Sequence, residues 1–136
     1  MSNVIQFELV SPEAKLISEP VYMVEIPGDD GRFGAMKGHC SLLSSLKPGV
    51  VRLHKEQGGE TNEIFIAGGF ADVTADSCTV LAEEAIPVKD LSKESLEQHL
   101  SDLNEDIGMA EEAADKKNIQ DKIILAKAKI AAVSSH

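Results

Sequence analysis

Apolar and polar residues alternate through the first two thirds of the chain, and the alternation stops near residue 90. Residues 4–10 read as a strand with Ile5, Phe7 and Leu9 on one face. Ser11 to Ala14 turn the chain, residues 15–18 predict a short strand, and residues 20–26 a longer one. Pro27, Gly28, Asp29, Asp30 and Gly31 are dense in turn residues. Residues 33–36 predict a brief strand, 41–46 continue extended, and 50–55 form a strand with Val51 and Leu53 on one of its two faces. Gln57 to Glu60 read as a hairpin tip. Residues 63–67, 70–73 and 78–82 supply further strands, and Ala85, Ile86 and Pro87 are expected to leave the sheet. Short strands separated by Gly, Pro and Asp turns mean an antiparallel sandwich or barrel. No helical pattern interrupts them, which argues against a parallel α/β sheet.

A helical period then takes over. Ser92 suits an N-cap, Glu94 suits the positive helix N-terminus, and Leu91 with Leu96 fit a hydrophobic staple. Leu96, Leu100, Leu103 and Ile107 recur at four-three-four spacing. Gly108 and the acidic, alanine-rich run to Asp115 interrupt the pattern. Ile119, Ile123, Ala126, Ile130 and Val133 resume it. Two helices with one apolar seam each predict an antiparallel α-helical hairpin. Such a hairpin has little core of its own, so it either packs on itself alone or docks elsewhere. The one candidate boundary runs from Ile86 to Asp90, dividing the chain into residues 1–87, an all-β N-terminal sandwich, and 88–136, the C-terminal hairpin.

Composition narrows the function. The chain of 136 residues carries a formal net charge of −10, which argues against a nucleic-acid partner. Hydrophobic residues make up 43% and aromatics only 4%, so the core should be aliphatic. The N-terminus lacks the basic and apolar regions of a signal peptide, and no apolar run approaches a membrane span of about 18 residues. Direct membrane insertion is not expected. Cys40 and Cys78 sit at no motif spacing and read as free, partly buried thiols of a cytosolic protein.

No catalytic constellation assembles. Gly68-Gly69 and the Gly31–Gly34 pair lack the Lys-Ser/Thr and following helix of a phosphate loop. His39 and Cys40 are adjacent in an extended segment, so they point to opposite faces, and no second ligand pair lies at zinc spacing. Glu83-Glu84 reads as a solvated strand edge, and His54 and His99 as exposed surface residues. No cofactor, metal or catalytic residue is expected. Interaction surfaces remain. Residues 90–107 hold six acids (Asp90, Glu94, Glu97, Asp102, Glu105, Asp106) against Lys93, whereas after residue 119 Lys122, Lys127 and Lys129 face only Asp121. Basic residues there either complement the helix dipole or aim at an acidic partner surface.

Taken in order, a set of short motifs resembles the epsilon subunit of bacterial and chloroplast F-type ATP synthases, the counterpart of the mitochondrial delta subunit. They are Phe7 to Ser11, Gly31-Arg32-Phe33-Gly34, Gly38-His39, Leu42-Leu43, Leu46 to Arg52, Gly68-Gly69-Phe70 and Val80-Leu81-Ala82. The resemblance spans essentially the whole chain. It implies a sandwich of about ten strands followed by a helical hairpin, and a non-catalytic place in the central rotor stalk. The sandwich would bind the gamma subunit and the c-subunit ring through Gly31, Arg32, Phe33, His39 and Leu42. The hairpin would fold down or extend along gamma to the alpha/beta ring and inhibit ATP hydrolysis, with Lys122, Lys127 and Lys129 meeting a beta subunit. The location implied is peripheral, on the cytoplasmic side of the bacterial inner membrane.

The chain departs from the family at several points. Arg32 stands where many members have an acidic or polar residue. Family prolines are absent at Lys37 and Ser41, which leaves that loop less pre-set. Some members bind ATP between the helices through an arginine-bearing motif; here the only arginines are Arg32 and Arg52, outside the hairpin. The competing reading is a stand-alone β-sandwich interaction module that dimerises through its hairpin.

Overall fold

The computed structural model describes residues 4–56 and 61–134, so the hairpin tip expected at 57–60 lies outside the described residues. The chain divides at Pro87/Val88 into two compact units. In the first, ten strands form one hydrogen-bonded sheet that folds over as a sandwich. They are β1 (Ile5–Val10), β2 (Lys15–Val21), β3 (Met23–Gly28), β4 (Gly31–Met36), β5 (Leu42–Leu46), β6 (Gly49–His54), β7 (Thr61–Ile66), β8 (Gly69–Val73), β9 (Ser77–Ala82) and β10 (Ala85–Pro87).

One half of the sheet runs β4-β3-β6-β7-β10 and the other β5-β8-β9-β1-β2. They join where Gly28 of β3 pairs with Leu46 of β5. Side chains that alternate inward from both halves make one core: Ile5, Phe7 and Leu9 of β1, Val24 and Ile26 of β3, Val51 and Leu53 of β6, Val73 of β8 and Val80 of β9. Each fully buried aliphatic side chain contributes about 1.5–3 kcal/mol. The alternation therefore dictates both the strands and their inner faces.

Four details differ from the pattern-based expectation. The stretch 15–26 breaks at Tyr22, not before Pro20, so Pro20 belongs to β2. Because β2 is the last strand of the sheet, proline's missing N–H leaves no central ladder bond unmade. Ala85–Pro87 does not leave the sheet but pairs antiparallel with Ile64, Phe65 and Ile66 of β7. One neighbouring pair, β1 with β9, is parallel, a pairing between strands far apart in sequence that alternation cannot reveal. His54 is half-buried rather than exposed, for a reason given below.

The second unit holds a short 3-10 turn (Val88–Asp90), then α1 (Lys93–Met109) and α2 (Ala113–Ser134). Ser92 caps α1, its side chain accepting the Ser95 backbone N–H at 3.3 Å. Leu91 and Leu96, the expected staple, are both half-buried. The helices pack through Leu103, Ile123 and Ala126, with Leu100, Ile107 and Ile119 at the margin of the seam. Gly108 does not end α1, which continues one residue further to Met109. Among the described residues no helix is long and apolar enough to cross a membrane.

Candidate interaction surfaces

The β3–β4 hairpin closes through Asp29 and Asp30, with Gly28 opposite Gly31. Gly31 takes φ +130°, a conformation that L side chains rarely adopt. On β4, Phe33 and Ala35 face the core, so Arg32, Gly34 and Met36 face outward. The structure thus separates two residues adjacent in the expected contact set. Phe33 points inward and lies beside the His39 ring, centroids 6.3 Å apart and planes inclined by 33°. Arg32 projects from the opposite side of the strand.

His39 is held in place from several directions. Its Nδ1–H donates to the Cys40 carbonyl at 2.6 Å, and its backbone N–H donates to the Met36 carbonyl at 3.0 Å. The preceding Gly38 N–H donates to the Ala75 carbonyl at 2.7 Å, tying this loop to the β8–β9 turn. These bonds anchor the loop between β4 and β5 at Gly38 and His39. Cys40 is exposed, contrary to the expectation of two partly buried thiols, and Cys78 is fully buried. Burial pushes the Cys78 thiol up to about 12, with the charge of Asp72 adding to the effect.

Around Arg32 the outward face of the first half-sheet carries a ladder of charge. Register places Gly34, Glu25, Arg52 and Glu63 side by side across β4, β3, β6 and β7. Glu25 Oε2 accepts from His54 Nε2 at 2.7 Å, which explains why His54 is only 23% exposed at its side chain. Arg52 Nε donates to Glu63 Oε2 at 3.4 Å. The His54 hydrogen bond, and after it the charges of His54, Arg52 and Arg32, outweigh burial and hold the Glu25 carboxyl below its ordinary value. Burial lowers Arg32, and repulsion from Arg52 adds to this; Glu25 and Glu63 oppose it. Period-two alternation on β3, β6 and β7 would have put these residues outward, but only the register brings them into one row.

The outward face of the second half-sheet carries an apolar patch beside a polar row, in which Asp72 lies opposite Leu43 and Thr79, and Thr79 opposite Glu8. Phe70 of β8 lies directly opposite Leu81 of β9, and Leu81 opposite Val10 of β1. Leu43, two residues from the Ser45 that pairs with Phe70, shares this face. Leu43 is 73% exposed, Phe70 54% and Leu81 49%, so three large apolar side chains stand in solvent. Leu42 is 40% exposed but pairs with Val73, a core residue, and so aligns with the inner face. The sequence signal for this patch was legible in part: β8 and β9 place large apolar residues on both faces, as in Phe70 beside Ala71 and Val80 beside Leu81.

The hairpin lysines do not form one patch. At about 3.6 residues per turn, Lys122 and Lys129 align two turns apart on one flank of the seam, and Lys127 falls on the other flank. Lys122 and Lys127 are exposed and Lys129 is half-buried. The acids of α1 (Glu94, Glu97, Asp102, Glu105 and Asp106) are all exposed. Leu103 and Ile123 are already buried in the seam between the helices, so a dimer formed through residues 96–107 would have to open the hairpin first.

Comparison with known proteins is consistent with this anatomy. Residues 4–88 match the family model described as ATP synthase, Delta/Epsilon chain, beta-sandwich domain. The ATP synthase epsilon chain of Rhodospirillum rubrum is 45% identical over 133 residues, covering 97% of this chain and 98% of that relative. That of Rhodospirillum centenum is 40% identical over 139 residues, covering 99% and 95%. Among solved structures, a chain of the Euglena gracilis mitochondrial ATP synthase (OSCP/F1/c-ring) superposes with a TM-score of 0.81 at 25% identity, covering 100% of this chain and 84% of that one. A sandwich of this topology followed by a helical hairpin, matched along nearly its whole length by those relatives, makes this chain a member of the ATP synthase epsilon-chain family.

Proposed function

We propose that the chain is a non-catalytic rotor subunit of the central stalk of a proton-translocating F-type ATP synthase, coupling rotation of the c-subunit ring to ATP synthesis at sites carried by other subunits. The observation that carries this reading is the exposed apolar patch of Leu43, Phe70 and Leu81 on an outward sheet face. A contiguous exposed apolar patch of this kind is what a protein–protein contact uses. Identity of 40–45% to epsilon chains along nearly the whole chain, and a solved relative described within an F1/c-ring assembly, support stalk subunits as the partner at that patch. On this reading the sandwich binds the gamma subunit and, through Gly31, Arg32 and the loop bearing His39 and Leu42, the c-ring. The protein then sits peripherally on the cytoplasmic side of the bacterial inner membrane.

The hairpin regulates. Its extended form reaches the alpha/beta ring, where Lys122, Lys127 and Lys129 meet acidic elements of a beta subunit and hold back ATP hydrolysis. The purified chain, mixed with gamma and c-ring, is expected to co-migrate with them and to have no ATPase activity alone. A free chain that sediments as a stable homodimer and ignores gamma would sink the proposal in favour of a self-dimerising module. Deleting residues 89–136 is expected to leave assembly intact and raise ATP hydrolysis by the complex. Unchanged hydrolysis would remove the regulatory role while leaving the rotor role standing.

A further inference from the structure

The charge ladder on the first half-sheet has one cation left over. Both arginines of the chain lie on this face, and its two carboxylates are each engaged with another cationic or cation-forming side chain: Glu25 with His54 at 2.7 Å, Glu63 with Arg52 at 3.4 Å. Among the described residues, Arg32 has no carboxylate within ion-pair distance. Glu25 and Glu63 attract it from across the face and Arg52 repels it, so its charge is only partly offset. Its strand, β4, pairs with β3 alone, and Arg32 is the second residue beyond the exposed Asp29–Asp30 turn. The guanidinium is therefore an exposed fork of donors at the margin of the sheet, with a second arginine two strands away adding positive potential.

We propose that Arg32 is the receiving point for a carboxylate, an Asp or Glu side chain of the c-subunit ring, gripped by the guanidinium in two-point geometry. The inference rests on the rotor reading above, because it takes the occupant to be a chain of the same complex. Two features favour a single acidic side chain over an anionic lipid surface. The chain carries a net charge of −10, and Asp29 and Asp30 flank Arg32 at the hairpin tip. A broad field of phosphates is repelled by both over its whole extent, whereas a single carboxylate at contact distance from the guanidinium carries one charge against that field. The row Glu25–Arg52–Glu63 then acts as a specificity device. Its arginine adds to the positive potential that turns away a basic side chain here, while its carboxylates are already engaged with His54 and Arg52.

The test is binding of the full chain to a gamma–c-ring subcomplex across a salt series, for the wild type, Arg32→Lys, Arg32→Gln and Arg32→Glu. Circular dichroism confirms that each variant folds, and exposed position 32 tolerates all three. Arg32→Gln is expected to weaken binding by about tenfold and flatten its salt dependence, with Arg32→Lys retaining part of the affinity and Arg32→Glu weakest of all. Restoration of Arg32→Glu binding by an acid-to-lysine change on the partner identifies the carboxylate. Wild-type binding with Arg32→Glu at equal affinity and equal salt slope overturns the inference but spares the rotor reading. A wild type that does not bind the subcomplex removes the rotor reading, and this inference with it. Arg32-dependent binding to phosphatidylglycerol vesicles, without any effect on the subcomplex, overturns it in favour of a lipid contact.

Discussion

Gly69 shows how much one position can depend on having no side chain. Its φ is +146°, it pairs with Leu46 on one side and Ala82 on the other, and a Cβ there would fall 1.9 Å from the Leu81 carbonyl oxygen. Neither backbone nor partner strand can give way without breaking the β8–β9 ladder. Gly69→Ala should therefore cost at least about 3 kcal/mol, measurable as a drop in the urea midpoint, or leave no folded sandwich at all. Glu25 supports a prediction in pH. Its carboxyl is held below its unfolded value, so its stabilising contribution is complete above the ordinary carboxylate range. It is lost as pH falls through the depressed folded value. The wild type should be more stable than Glu25→Gln at neutral pH, and paired denaturant titrations should show the margin disappearing in acid. A margin constant from neutral to strongly acidic pH would contradict the Glu25–His54 coupling.

At the scale of elements, alternation in β1, β3, β6 and β9 left little freedom: Ile5, Phe7, Leu9, Val24, Ile26, Val51, Leu53, Cys78 and Val80 all end inside. The short elements were harder. β10 is three residues long and is held by β7, so its strand character comes from its neighbour. The join between β2 and β3 depends on a break at Tyr22 that no glycine or proline announces. The hairpin was legible because seam residues recur every three or four positions, and Leu103, Ile123 and Ala126 do pack together. That seam is thin. Leu103→Asp puts a carboxylate where a side chain is 5% exposed, and should cost about 3 kcal/mol or more. The helical signal at 222 nm should fall while the β-sheet signal and the slow amide exchange of β1, β3 and β6 persist. Retained helicity would mean that the seam is not what holds α1 to α2.

For the whole molecule, the informative contrast is between two outward sheet faces. One carries a charge row paired except at Arg32; the other carries the exposed apolar patch of Leu43, Phe70 and Leu81. The apolar patch should be the stickier of the two. Phe70→Glu, at a position 54% exposed, should leave the thermal midpoint within about 2 °C while weakening association with the gamma subunit by tenfold or more. Unaltered association would direct the search for the gamma contact elsewhere on the sandwich.

What the sequence determined by itself is the division into alternating and helical regions, the inner face of most strands, the capped start of α1 and the family. These depend on periodicity and on turn and capping residues that act over a few positions. Tertiary structure decided what depends on register between distant strands. Only the pairing of β4, β3, β6 and β7 sets Glu25 beside Arg52 and Glu63, draws His54 half under cover and leaves Arg32 over. Only the pairing of β5, β8, β9 and β1 lines up Phe70 with Leu81 and Val10, with Leu43 beside them. A one-residue slip in either would turn every side chain of a strand to the other face, so the surfaces belong to the register, and the register belongs to the shared core.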